Sequence, residues 1–324
     1  MKPMSSSELA NLWSTYQKKT MLLRILEHAS DVTTQKDITS ILQYAYQEES
    51  KFVKEIAQLL EQAGAAVPEG FNETDVNRKA DRLFDQYFYL RLLRMIMKLG
   101  IGLNAVHLSM VYRNDIHDFF SRTSAHSNKV FGMCTNCLLQ VGNGSIPPVI
   151  QMPDHPKFVV NDSYLSGFHF KKRNLNAIEL AIIYHIVENN NFGTQMMKGF
   201  AKVVTHSEVR NYLKKGEKLA FDLNVSFGKL MEQSGIPVSA LPGAVITETK
   251  TAPFSDKLIM YLVNLFSSLG LTSNALGTTY SLRPDLPLKM ALAARDIYSF
   301  AKQGGRMMIE HQWMEEIPEA VTKR

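Results

Sequence analysis

The residues with metal-ligand chemistry are few, and their spacing is the first constraint on function. His185 and Glu188 stand three apart in a segment of helical periodicity, which puts an imidazole and a carboxylate on one helix face. Two side chains do not complete a metal shell, so the pair reads as a partly buried histidine bonded to a carboxylate, with a degenerate metal site as the sharper alternative. A dimetal centre in a helical bundle needs an inward carboxylate from each of two helices and a Glu-x-x-His from each of the other two. The chain contains no Glu-x-x-His, and the stretch from Gln86 to Tyr112 carries no Asp or Glu. No standard dimetal centre and no resident cofactor are expected.

Cys134 and Cys137 form a Cys-x-x-Cys deep in a helical stretch with no strand before it, a context that suits small core residues better than a redox pair. There is no second pair to build a zinc site. His28 and Asp31 fall at a helix end, where a cationic imidazole would favour the helix dipole. His107, His117 and His126 can meet only if the third and fourth helices bring them together. Gly142 and Gly144 lack the Lys-Ser or Lys-Thr of a phosphate loop.

A second kind of chemistry is suggested by Tyr87 to Leu103. This stretch is apolar nearly all round and is broken by Arg91, Arg94 and Lys98 on a single stripe. Three basic groups are costly in hydrocarbon, so no membrane span is expected. Packing between copies or between subunits of a homo-oligomer explains the stripe, and a pocket for a small acidic amphipathic ligand, with the stripe as its polar end, is the sharper reading. Asn104 and Asn274 add an equivalent buried polar group in each half, suited to fixing helix register or to touching a ligand.

The elements that position these residues are specified twice. Leu59-Leu60-Glu61-Gln62-Ala63-Gly64 returns as Leu230-Met231-Glu232-Gln233-Ser234-Gly235, and Leu99-Gly100 with Asn104-Ala105 returns as Leu269-Gly270 with Asn274-Ala275. The offset is 171 in the first block and 170 in the second. A repeat of this length is a duplicated domain. Apolar spacing is helical throughout: Leu9, Leu12, Trp13, Tyr16, Leu23 and Leu26 mark a first face, and Ile38, Ile41, Leu42, Ala45, Phe52, Ile56 and Leu59 a second. Capping boxes are expected at Ser5 with Glu8, Asn176 with Glu179, Thr34 with Asp37, and Thr205 with Glu208.

Third helices are expected at about 85 to 111 and 255 to 281, and fourth helices begin near Asp115 and Asp285, two residues after Arg113 and Arg283. Short connections make two antiparallel hairpins per copy, and the 18 or 19 residues of Ala65 to Leu83 and Ile236 to Pro253 reach from one end of a bundle to the other. The expected fold is all-α: a tandem duplication of a ferritin-like four-helix bundle, two hairpins joined by a long crossover. The boundaries are 1–142 for the first bundle, 143–175 for a Pro-rich connecting segment and 176–324 for the second bundle. In the connection, Val149, Ile150, Phe158, Val159, Val160, Tyr164, Phe168 and Phe170 are expected to anchor a strap.

The segments Val67-Pro68-Glu69-Gly70-Phe71, Ala80-Asp81-Arg82-Leu83-Phe84, Lys172-Arg173-Asn174-Leu175-Asn176-Ala177-Ile178-Glu179 and Pro253-Phe254-Ser255-Asp256-Lys257-Leu258 resemble a domain-of-unknown-function family of tandem ferritin-like bundles from spore-forming Gram-positive bacteria. The resemblance covers essentially the whole chain. It implies the fold and a kinship with small spore-coat-type bundles, and it supplies no activity. One departure is that the first copy ends in Leu139-Gln140-Val141-Gly142 where the second keeps Trp313-Met314-Glu315.

Composition narrows the function classes further. The 324 residues are 45% hydrophobic and 21% charged, with a net charge of +5 and a pI near 9.0. The basic residues are scattered without a polybasic run, so nucleic-acid binding is unsupported. The start of the chain has no segment of signal-peptide character and the two cysteines make no disulfide framework, which points to the cytoplasm. The expected function is a non-enzymatic structural, ligand-binding or partner-binding bundle, tied to sporulation or stress by the resemblance. The competing classes are a metal-dependent oxidoreductase with a degenerate ferritin-like site and a nucleic-acid-binding protein.

Overall fold

A computed structural model of the chain describes residues 3–166, 172–237 and 242–319. These residues form eight α-helices and no strand: α1 (Ser6–Val32), α2 (Lys36–Gln62), α3 (Gln86–Leu108), α4 (Asn114–Gln140), α5 (Ala177–Val203), α6 (Ser207–Glu232), α7 (Asp256–Tyr280) and α8 (Asp285–Glu310). Each copy is two helical hairpins joined by a long crossover, as the connection lengths require. The cores repeat with the expected offsets. Leu12, Ile56, Leu59, Leu60, Ile116 and Phe120 in the first bundle correspond to Ile183, Phe227, Leu230, Met231, Leu286 and Met290 in the second. All twelve are buried, so one pattern of apolar spacing builds both interiors.

The helix starts show which local signals the fold uses. Ser5–Glu8 and Asn176–Glu179 form full capping boxes. The box expected at Thr34 does not form, because α2 begins one residue later than that signal places it, behind Gln35, which makes no side-chain cap bond; α6 likewise begins behind His206, one residue after Thr205. At α2 the turn is served from outside: Gln86 Oε1 accepts from the backbone N–H of Thr34 at 3.4 Å and of Gln35 at 3.3 Å.

A buried carboxylate joins the hairpins of each copy. Glu8 Oε1 accepts from the backbone N–H of Tyr112 at 2.9 Å and of Arg113 at 2.7 Å, in the turn between α3 and α4. Glu179 Oε1 does the same for Leu282 and Arg283, both at 3.1 Å. Arg113 and Arg283 then fork onto Asp115 and Asp285 in the first turn of the following helix. Burial works to raise both glutamate pKa values, but the backbone bonds, and for Glu179 the Arg173 guanidinium, outweigh it and hold them below the usual range. The capping glutamate therefore does two jobs, starting α1 or α5 and pinning the far turn.

The chain divides into two compact units: 1–144 with 244–259 and 309–324, and 145–243 with 260–308. Within the first unit the two crossovers pair with each other. Isolated bridges form at Val76 with Phe254 and Phe84 with Ile246, and Ser255 Oγ donates to Asp75 Oδ1 at 2.6 Å. Glu315, in the segment where the copies differ, accepts from the backbone N–H groups of Glu69 and Gly70 at 2.9 and 2.7 Å. Gly70 has a positive φ of 66° with Thr20 and Tyr16 crowded against it, so this turn is built for glycine.

The connecting segment departs from the strap expectation. Ile150 packs on the second core and Tyr164 stacks under Arg173, but Phe158 and Val160 are 91% and 92% exposed, and Val149 and Val159 are exposed as well. With Pro147, Pro148, Pro153 and Pro156 breaking regular structure, these side chains have no helix to turn them inward. Phe168 and Phe170 lie outside the described residues. Among the described helices, α7 is long and apolar enough to cross a membrane, and half of its most apolar window is buried inside the protein, as in a core helix.

Candidate functional site

The chemistry-bearing centre of the first bundle is a group that sequence spacing does not single out. On α1, Asn11, Thr15 and Lys19 follow one another at steps of four and all three are buried. Glu49 enters from α2 and His126 from α4, both buried. Lys19 Nζ donates to Glu49 Oε2 at 2.6 Å, and His126 Nε2 lies 3.3 Å from Glu49 Oε1. Aromatic rings close the group: Lys19 sits over Phe52 at 4.6 Å, and His126 lies against Phe52 at 5.5 Å and Tyr44 at 5.9 Å. Burial works to raise the Glu49 pKa, but Lys19 and His126 prevail and hold it low. A carboxylate whose charge is held by an ammonium at 2.6 Å is a poor general base and a poor metal ligand, since a metal would have to displace the lysine.

The second bundle does not repeat this group. Its equivalents of Lys19, Glu49 and His126 are Asn190, Ala220 and Asp296. In its centre, Asn189 donates to Ser273 Oγ at 3.1 Å, and His185 Nε2 lies 3.0 Å from Ser273 Oγ and 3.1 Å from Asn189 Nδ2. Beside Asn189 is a cavity of about 60 Å³ walled by Gly193, Met196, Met197, Phe266 and Phe300. The first-bundle equivalents of Gly193 and Ala220 are the larger Leu22 and Glu49, which accounts for the space.

The structure places the remaining sequence-predicted residues as follows. Glu188 is buried one turn from His185. Arg91 is buried, donates to Asn143 Oδ1 at 2.5 Å and stands 3.8 Å from Asp85. Arg94 donates to Thr135 Oγ1 at 2.9 Å and stacks on Phe131 at 4.7 Å, and Lys98 is half-buried on the same face. Asn104 ties α3 to α4 through Ser127 Oγ at 3.3 Å. Asn274 donates to Gly270 within its own helix.

The histidines separate. His107 packs on Phe120, His117 is exposed and His126 belongs to the Lys19 group. Among the described residues, no set of three or more His, Cys, Asp or Glu side chains is placed to hold a metal ion. His28 is not the cationic dipole partner that its position suggests. It is fully buried against Tyr89 and Phe254, burial pushes its pKa down to about 4, and Asp31 pairs with Arg78 instead. Both cysteines are free and buried, and burial raises both thiol pKa values, as expected of core residues.

The one signal that could have found the Lys19 group is Glu49 itself, a charge on the apolar stripe of α2 between Ala45 and Phe52. A model of the family described as Protein of unknown function (DUF3231) matches residues 1–155 and again 165–324. The chain belongs to this family. The two matches to DUF3231 follow the duplication, one for each copy. A search of curated proteins finds no match. Among solved structures, the chain is similar to a provisionally assigned spore coat protein from Bacillus halodurans C-125, at 15% identity and a TM-score of 0.44, over 46% of this chain and 98% of the other.

Proposed function

We propose that the protein is a non-enzymatic structural and binding module of ferritin-like connectivity, in which the charged centre of the first bundle holds the helices together. The observation that carries this reading is the 2.6 Å contact of Lys19 with Glu49. It neutralises the buried carboxylate that His126 approaches at 3.3 Å, where an acid–base or metal site would need an available one. The low pKa of His28 and His107, both pushed to about 4 by burial, supports the same reading, since neither imidazole takes up a proton near neutral pH. A cytoplasmic protein without a membrane span, forming homo-oligomers, belongs to the proposal, as does a link to sporulation or stress through the family resemblance.

The second reading, a metal-dependent oxidoreductase, is favoured by one feature, the approach of His126 to Glu49 from facing helices. Purified protein distinguishes them. The structural and binding reading expects elemental analysis to find no stoichiometric iron, manganese or zinc, and extraction with mass spectrometry to find organic ligand or none. Stoichiometric metal with oxygen-dependent turnover would overturn it.

A further inference from the structure

The second unit carries an open groove of about 590 Å³ between α6 and α8. Its walls include Phe221 and Val225 from α6 and Leu288 and Leu292 from α8, each roughly half exposed. Four large apolar side chains left open together is more than the scattered exposure normal for a surface.

The duplication supplies an internal control. The equivalent positions on α2 and α4 are Ser50, Lys54, Asp118 and Arg122. There the same face is charged and joined by ion pairs of Arg122 to Glu55 at 2.5 Å and to Asp118 at 3.0 Å. The scaffold therefore folds with a polar surface here, and apolar residues in the second copy serve something other than the bundle.

The charges of the groove are arranged end to end. On α6 the order Phe221, Val225, Lys229 steps along one face over about 12 Å. On the antiparallel α8, Lys289 lies in the first turns and Leu292 further along, so Lys229, Lys289 and Lys172 gather at one end. Asp222 lies at the other end, beside Phe221. Asp285 is engaged by Lys172 at 3.0 Å and by Arg283. The Lys289 pKa is lowered, first by burial; Asp285 opposes this, and Lys172 and Lys229 add to it, so three lysines share one carboxylate that Lys172 and Arg283 already engage.

We propose that this groove binds a free fatty carboxylate, with the acid at the Lys229–Lys289 end and the alkyl chain along Phe221, Val225, Leu288 and Leu292. The proposal rests on the binding half of the function given above. A polar anion such as phosphate leaves the apolar walls uncovered. An acidic amphipathic helix calls for cations along both edges, whereas here they sit at one end. A second copy of the chain docked with its groove parallel would set lysine clusters of like charge close together, and an antiparallel copy is the dimer that light scattering would detect.

Calorimetric titration of the full-length protein with decanoate, below its micelle concentration at pH 7, tests this. One decanoate per chain is expected, with decanol at least about tenfold weaker and decylamine not bound. Lys229→Gln with Lys289→Gln should weaken decanoate about tenfold or more, and Phe221→Ser with Leu292→Arg, which install the first copy's residues, should abolish binding while the melting profile is kept. Equal binding of decanoate and decanol, or full binding by the Ser/Arg variant, would overturn the proposal. So would binding to phosphatidylglycerol vesicles without binding to free decanoate, or a dimer that Leu292→Arg dissolves in light scattering. Failure of decanoate to bind, with metal-dependent turnover still absent, would end this proposal and leave the structural half of the function standing.

Discussion

Replacing Lys19 with Met leaves the Glu49 carboxylate buried without its cation. At 2.6 Å the pair is worth about 6 kcal/mol of gross attraction at an effective dielectric near 20. Much of that is offset by the cost of taking both charges out of water, and breaking a buried pair from one side typically costs about 3–5 kcal/mol. The expected loss in Lys19→Met is of that size, and Glu49→Leu should lose a similar amount by stranding the ammonium. The double variant Lys19→Met with Glu49→Leu should return to within about 2 kcal/mol of the parent, because well-packed apolar groups replace a buried pair at little cost. At roughly 2–4 °C per kcal/mol for a unit of this size, the single variants should lower the melting transition of the first unit by about 6–20 °C. Scanning calorimetry reads this directly. Singles that cost less than about 1 kcal/mol, or a double variant as damaged as the two singles combined, would refute the reasoning.

Stability should fall as pH drops from about 6.5 towards 4, because the unfolded chain takes up protons on His28 and His107 that the folded state, with both pKa values near 4, refuses. Each contributes about 3 kcal/mol across that window, and denaturant melts of His28→Gln with His107→Gln should show a flatter profile. Below the ordinary carboxylate range the depressed Glu8, Glu49 and Glu179 lose their contribution too. Glu179→Gln should destabilise by about 3 kcal/mol and exceed Glu8→Gln, since Arg173 forks onto Glu179 at 2.7 and 2.8 Å and loses its partner; equal losses by calorimetry would contradict this. Gly193→Leu, which restores the residue type of the first bundle, should stabilise the second unit by about 1.4 kcal/mol if it fills the 60 Å³ cavity; a lower melting temperature would show the space is not available to it.

Most of the fold was legible because apolar periodicity and the repeat act locally and twice. Ser5 and Asn176 could be read as caps because the helix begins directly after them. Thr34 misled because its turn runs one residue further before the helix closes, and α6 too starts one residue after the place that Thr205 marks. His28 looked like a helix-end charge, and only the return of Phe254 from a crossover more than two hundred residues away makes it a neutral core residue. Lys19 and Glu49 were hidden for the same reason, since pairing across helices depends on rotation that no single helix records. The α6–α8 groove left a weaker trace: Phe221 and Val225 fall off the stripe of Val209, Tyr212, Leu213 and Phe227 that faces the core.

The most direct test of the central claim, that the first bundle's charged centre is structural, is a titration of the apo protein with Fe(II), Mn(II) and Zn(II), followed by elemental analysis after desalting. With the ammonium of Lys19 holding Glu49, no metal should be retained at stoichiometric level by the parent. Retention of one or more metal ions per chain, lost in His126→Ala and Glu49→Gln, would contradict the account.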